Sequence, residues 1–116
     1  MHVKDVIEAR RAYRSLAPVE ITDETVMDLV NAARLSASCY NNQPWRYVFV
    51  RRRDVLEKMF EALAEGNRWA TAASMIVAVM SRPDLDCQIR EREYYLFDTG
   101  MATALMVLRA VELGLV

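Results

Sequence analysis

The fold is constrained most by one stretch near the end of the chain, Met101-Ala102-Thr103-Ala104-Leu105-Met106-Val107-Leu108-Arg109-Ala110-Val111. It contains a single charged residue and predicts a helix that is apolar on nearly every side, which we extend from about Gln88 to Leu115. A helix that is apolar all round must be buried all round. A chain of 116 residues offers too little other structure to cover it. The stretch therefore predicts either further chain or a second subunit packed on this helix.

Three shorter helices and two strands are predicted before this helix. The strands are the β-branched and aromatic runs Trp45–Arg51 and Ser74–Ser81. The helices run from Val3 to Tyr13, from an N-cap at Thr22 to about Leu35, and from an Asp54–Glu57 capping box to a stop at Gly66. Two strands alone make a poor sheet. The pattern therefore predicts that residues 1–116 belong to a domain that is incomplete at its C-terminus.

Composition and charge argue against several classes of protein. The net charge of −1 gives no indication of nucleic acid or an anionic membrane as partner, and no apolar stretch is long enough to span a bilayer. The single histidine, His2, leaves no cluster that could bind a metal. The two cysteines, Cys39 and Cys87, lie far apart in the sequence, and two cysteines do not make a disulfide framework. We therefore expect a reduced, cytoplasmic protein.

Four segments carry the residues that suggest a chemistry. They are Arg10-Arg11-Ala12-Tyr13-Arg14, Ala37-Ser38-Cys39-Tyr40-Asn41-Asn42-Gln43-Pro44-Trp45, Gly66-Asn67-Arg68-Trp69 and Asp98-Thr99-Gly100-Met101-Ala102. In this order and at this spacing the segments resemble the FMN-dependent nitroreductase family. The second segment is the most specific, and the resemblance extends over nearly the whole chain.

The resemblance implies a fold, an assembly and an activity. The fold is α+β, with a central mixed or antiparallel sheet flanked by helices and a long buried helix at a dimer interface. The protein is an obligate homodimer with FMN in the interface, and residues 1–116 belong to its flavin-binding domain. The implied activity transfers electrons from NAD(P)H to a small organic acceptor such as a nitroaromatic or a quinone. The alternative is a non-catalytic flavin-binding or interaction protein of the same fold.

The first segment suits the anionic parts of FMN. The planar fork of arginine makes paired, charge-assisted hydrogen bonds to phosphate. By resemblance, Arg10 and Arg11 lie near the FMN phosphate, and Arg14 lies near the pyrimidine edge of the ring, where a cation favours reduced flavin. Ala12 stands where the family commonly has serine, so only its backbone N–H remains as a donor. The alternative is a solvated basic face at the end of a helix.

The second and third segments supply small polar groups on loops. By resemblance, Ala37, Ser38, Cys39 and Asn41 reach the FMN of the partner subunit, and Asn67 contacts the ring or the ribityl chain. Ala37 stands where the family often has proline, which affects stiffness more than chemistry. The alternatives are a helix C-cap and turn for the loop, and a left-handed turn residue for Asn67. We assign no catalytic acid or base, because the flavin performs the chemistry.

Overall fold

The computed structural model describes residues 1–116 and has the α+β architecture that the sequence predicts. It contains two strands, β1 (Trp45–Val50) and β2 (Ile76–Ser81). Its four α-helices are α1 (Val3–Ala9), α2 (Asp23–Arg34), α3 (Arg53–Glu61) and α4 (Tyr94–Glu112). Three short 3-10 helices span Cys39–Asn41, Glu65–Ala72 and Pro83–Leu85.

The core forms where α2, α4 and one face of the sheet meet. The two strands pair antiparallel, with Trp45 opposite Ser81 at one end and Val50 opposite Ile76 at the other. Side chains from all three parts make up the core: Leu29 and Ala33 of α2, Trp45 of β1, and Ala102 and Met106 of α4. The strand residues Tyr47, Phe49 and Val77 pack against this cluster.

Helix α2 begins as the sequence predicts and is tied to α4 by an ion pair. The Thr22 hydroxyl accepts a hydrogen bond from the Thr25 backbone N–H at 3.1 Å, which confirms the N-cap. Near the C-terminal end of α4, the Arg109 guanidinium donates from Nε and Nη2 to one carboxylate oxygen of Asp28, at 3.0 and 2.5 Å. The cap therefore stabilises the first turn of α2, and the ion pair holds α2 against α4.

The boundaries of α1 and α3 differ from the prediction. Helix α1 ends at Ala9, so Arg10 and Arg11 lie beyond it and not in its last turns. The capping box at Asp54 is wrong, because Arg52 holds the N-cap position and donates two hydrogen bonds to the Asp54 carboxylate, at 3.0 and 2.6 Å. Helix α3 also ends well before the predicted stop, and the chain then continues as the 3-10 helix Glu65–Ala72.

Helix α4 begins later than predicted and is covered on one face only. It begins at Tyr94 and not at Gln88, since Gln88 itself has a left-handed φ of 55° that a helix cannot contain. Its buried side chains lie on one face, whereas Phe97 on the opposite face is 64% exposed. No helix, α4 included, has the combination of length and apolarity needed to cross a membrane.

The whole chain exposes more surface than a compact monomer of its mass. Its accessible surface is 8217 Å², whereas a folded monomer of 13.3 kDa exposes roughly 6,450 Å². Its radius of gyration is 15.3 Å, against about 13.4 Å expected for a compact domain of this length. The single chain therefore exposes more surface than a compact monomer, and Leu96 and Phe97 on α4, 54% and 64% exposed, contribute apolar area to it.

Candidate functional site

The arginines of the first segment lie on an exposed, irregular stretch that follows α1. Arg11 donates from Nη1 to the backbone carbonyl oxygens of Glu8 and Arg10, at 2.6 and 2.7 Å. The guanidinium groups of Arg10 and Arg14 form no hydrogen bond and no ion pair within the chain, and the nearby Glu8 carboxylate pairs with Lys4 instead. The stretch therefore carries positive charge that the chain does not neutralise, which suits an anionic ligand.

A cavity of ≈ 490 Å³ lies beside this stretch. It is bounded by residues 16–21, by the inner face of β2, by the C-terminal half of α4 and by residues 114–116, and most of its lining is aliphatic. Its polar groups are Arg10, Arg11, Ser74 and Thr103. The Ser74 hydroxyl accepts a hydrogen bond from the Val19 backbone N–H at 2.9 Å, which holds one wall in place. Volume and lining are those of a pocket for a small amphipathic molecule.

The loop of the second segment is tightly folded on itself. The Ser38 hydroxyl accepts from the Gln43 backbone N–H at 3.0 Å, and the Gln43 side-chain amide donates to Asn41 Oδ1 at 3.0 Å. Tyr40, Asn41 and Gln43 all have left-handed φ angles, of 52°, 55° and 51°. These are the local contacts that the turn alternative predicts for Ser38 and Asn41.

One end of this loop is anchored on α4. The backbone N–H of Cys39 donates to Asp98 Oδ2 at 3.0 Å, and Asp98 is only 4% exposed. A buried carboxylate that accepts a backbone N–H fixes the position of that peptide, because the carboxylate would otherwise lose a hydrogen bond inside the protein. Asp98 therefore fixes the position of the Cys39 end of the loop on α4.

The structure joins Cys39 and Cys87 in a disulfide, so the expectation of two reduced cysteines is wrong. Their Cα atoms lie 5.7 Å apart although 48 positions separate them in the sequence. The cause is the register of the sheet, in which Trp45 lies opposite Ser81. Cys39 lies six residues before Trp45 and Cys87 six residues after Ser81. Antiparallel pairing therefore brings the two cysteines to the same end of the sheet.

A group of hydroxyl side chains between the sheet and α4 was not predicted. Ser81 donates to the Thr99 hydroxyl at 2.7 Å, and Thr103 donates to the Thr99 carbonyl oxygen at 2.7 Å. The Tyr47 hydroxyl lies 3.0 Å from that of Thr103. Burial raises the pKa of Tyr47 above its ordinary value, and the hydrogen bond with Thr103 offsets part of the increase. The signal for this group is Thr99 and Thr103, four residues apart in the stretch of α4 from Thr99 to Leu108, which has no charged residue.

The predicted site residues fall into separate groups within one chain. Arg10 and Arg11 line the cavity, whereas Ala12 and Arg14 lie on the same stretch outside its lining. The loop residues Ala37, Ser38, Cys39 and Asn41 lie at the other end of α4, near Asp98. A helix rises 1.5 Å per residue, so the cavity, which α4 lines from Thr103 to Val111, begins about 7.5 Å and ends about 20 Å from Asp98 along the axis. None of the four loop residues lines the cavity within a single chain.

Asn67 occupies a third position. It lies exposed in the 3-10 helix Glu65–Ala72, and its backbone N–H donates to the Ala64 carbonyl oxygen at 2.8 Å. Its φ of −108° is not left-handed, so the interpretation of Asn67 as a left-handed turn residue is wrong. Its side chain makes no hydrogen bond within the chain.

Comparison with known proteins points to one family. The sequence model of the nitroreductase family matches residues 7–81. A protein of Archaeoglobus fulgidus, named as a predicted NADH dehydrogenase/NAD(P)H nitroreductase, is 34% identical over 110 residues, which cover 95% of this chain and 62% of that protein. The chain thus spans less than two thirds of the length of this relative.

Solved structures of the same family share the fold. A nitroreductase family protein from Clostridium novyi superposes with a TM-score of 0.87 at 19% identity, over 98% of this chain and 66% of that one. A predicted nitroreductase from Desulfovibrio desulfuricans, solved in complex with FMN, superposes with a TM-score of 0.81 at 24% identity, over 96% of this chain and 63% of that one. At these identities the likeness concerns the fold alone.

Proposed function

The chain belongs to the nitroreductase family, and on that basis we propose that it is part of an FMN-dependent oxidoreductase that passes electrons from NAD(P)H to a small organic acceptor such as a nitroaromatic or a quinone. One observation carries the proposal, namely the unneutralised arginines beside a largely aliphatic cavity of ≈ 490 Å³. The name of the Archaeoglobus fulgidus relative and the FMN bound to the Desulfovibrio desulfuricans protein support it. A cytoplasmic location, where NAD(P)H is available, belongs to the same proposal.

The residues at and beside the cavity fit FMN, which carries a phosphate and a flat ring. Arg10 and Arg11 would hold the phosphate, because they lie at the cavity and are not occupied by a carboxylate of the chain. Arg14 would hold the pyrimidine edge of the ring, where its charge favours the reduced state. Bound FMN supplies the redox chemistry, and the chain binds it, orients it and excludes water.

We further propose that two copies of the chain build each site. The loop residues Ala37, Ser38, Cys39 and Asn41 do not line the cavity of their own chain, and we assign them to the FMN of the partner subunit. The exposed apolar face of α4 supports an interface formed by this helix. Asn67 would contact the ring or the ribityl chain from its exposed position.

Substitution of Arg10 and Arg14 tests the assignment of the phosphate. A charge-assisted hydrogen bond contributes roughly 1.5–3 kcal/mol. Arg10→Ala should therefore weaken FMN binding roughly 10- to 150-fold, with little effect on riboflavin, which lacks the phosphate. Arg14→Ala should weaken both flavins to a similar extent and lower the flavin midpoint potential, since the reduced anion loses a neighbouring cation.

Fluorescence titration of the full-length protein measures both affinities, and Arg34→Ala is the matched control. Arg34 is an exposed arginine on α2 whose side chain forms no ion pair and one hydrogen bond, of 3.4 Å, to Asn31. If Arg10→Ala and Arg34→Ala bind FMN with equal affinity, Arg10 does not bind the phosphate, and the interpretation of these arginines as a solvated basic face holds.

Activity is tested separately. Anaerobic NAD(P)H should bleach the flavin and a quinone should restore its colour, whereas a non-catalytic flavin-binding protein would stay yellow.

A further inference from the structure

The Cys39–Cys87 disulfide joins the two strained segments of the chain. Six residues other than glycine have left-handed φ angles, and all of them lie in the 36–44 loop or in the segment 82–93 between β2 and α4: Tyr40, Asn41, Gln43, Gln88, Arg90 and Glu91. Such conformations persist only where the surrounding structure holds them, and they cluster at ligand clamps and switch regions. The disulfide connects these two segments directly.

Few hydrogen bonds tie the segment 82–93 to the rest of the chain. The Arg82 backbone N–H donates to the Pro44 carbonyl oxygen at 2.8 Å, at the very start of the segment. Beyond it, the hydrogen bonds of residues 83–93 are made within the segment or to its immediate neighbours, such as that of the Cys87 N–H with its neighbour Asp86 at 2.9 Å. Apart from the Arg82–Pro44 hydrogen bond, no hydrogen bond joins this segment to the 36–44 loop, and the disulfide is the link at the middle of the segment.

The 36–44 loop, in contrast, has two attachments at the same residue. The backbone N–H of Cys39 is held by the buried Asp98 carboxylate, and its side chain is held by Cys87. Opening the disulfide leaves the first attachment in place, so the loop becomes looser without leaving α4. Both cysteines are only half-buried, so a small thiol reagent can reach the bond.

We propose that Cys39–Cys87 is a reversible thiol–disulfide site whose oxidation state sets how firmly the 36–44 loop is held, and through the loop how tightly flavin binds. The second step rests on the proposed function, because it requires that the loop contacts flavin. A dithiol reductant opens the bond. Its thiolate attacks one cysteine sulfur to give a mixed disulfide, and its second thiol then displaces that cysteine. Two protein thiols form, and the reductant leaves as a cyclic disulfide that has given up two electrons and two protons.

The first test does not depend on flavin. The full-length protein is oxidised with glutathione disulfide or reduced with dithiothreitol, then unfolded and alkylated with N-ethylmaleimide. Cys39 and Cys87 should carry no adduct after oxidation and one adduct each after reduction. Hydrogen exchange in the 36–44 loop should be faster in the reduced protein, with α3 as an unchanged reference. Adducts on both cysteines after oxidation, or equal exchange in the two states, would overturn the proposal.

The second test measures flavin binding and uses Cys87→Ser, which removes the bond and leaves Cys39 in place. The FMN Kd of the parent protein should rise about three- to tenfold on reduction, whereas that of Cys87→Ser should resemble the reduced parent in both conditions. If hydrogen exchange in the loop responds to the redox state but the FMN Kd does not, the thiol–disulfide site stands and only its coupling to flavin is overturned. Absence of FMN binding in both states would instead overturn the proposed function.

Discussion

Phe97 offers the sharpest test of a homodimer built on α4. Its side chain is 64% exposed on the face of the helix opposite the core. Full burial of a large apolar side chain contributes about 1.5–3 kcal/mol, so covering the exposed part is worth roughly 1–2 kcal/mol per subunit. A twofold interface contains each contact twice. Phe97→Ala should therefore weaken the dimer by roughly 2–4 kcal/mol, which corresponds to a roughly 30- to 900-fold higher Kd.

Sedimentation velocity of the full-length protein over a wide concentration range measures this change. The matched control is Met80→Ala. Met80 is 43% exposed but lies on the sheet face turned away from α4, because its neighbour Ser81 contacts Thr99 of that helix and side chains alternate along a strand. Both variants should keep the far-UV circular dichroism of the parent. An unchanged dimer Kd in Phe97→Ala, or an equal loss in Met80→Ala, would refute an interface on this face.

Two further predictions concern groups between the sheet and α4. The folded-state pKa of Tyr47 is raised, so the stability that its neutral hydroxyl contributes is present below the unfolded pKa of about 10 and is lost as the pH rises through the folded pKa. Urea unfolding should show a steeper alkaline loss of stability in the parent than in Tyr47→Phe, and parallel pH profiles would contradict the assignment. Asp98→Ala leaves the Cys39 N–H without its acceptor and should cost roughly 1.5–3 kcal/mol of unfolding free energy. Asp98→Asn keeps an acceptor oxygen and should cost less, so equal losses in the two variants would show that the hydrogen bond is not the cause.

Local patterns in the sequence predicted the elements well where the determining contacts are themselves local. The Thr22 cap acts within four residues, and the β-branched run that begins at Trp45 forms a strand wherever it finds a partner. The prediction failed at Asp54 because a side chain two residues away, Arg52, competes for the same carboxylate. Such competition depends on rotamers and not on residue spacing.

The disulfide could not be predicted because it depends on the sheet register. Nothing near Cys39 or Cys87 in the sequence indicates a bond. The bond becomes evident only when Trp45 is placed opposite Ser81, because each cysteine then lies the same number of residues from the paired position. The left-handed residues next to both cysteines were missed for a related reason. A helix also tolerates these residue types, so the sequence pattern predicts that α4 begins at Gln88, whose φ is in fact left-handed.

The proposed dimer explains two features together. The loop and cavity residues of the predicted site form separate groups, and one face of α4 is uncovered. In one chain the loop that holds Ser38 lies near Asp98, outside the cavity that α4 lines from Thr103 to Val111. If two copies of α4 pack antiparallel about a twofold axis, the Asp98 end of one helix lies beside the Val111 end of the other. The loop of each chain then approaches the cavity of its partner. The contact that covers Phe97 would in this way also complete the site. Phe97→Ala should accordingly lower FMN affinity along with dimer stability, although Phe97 itself belongs to neither group of predicted flavin contacts.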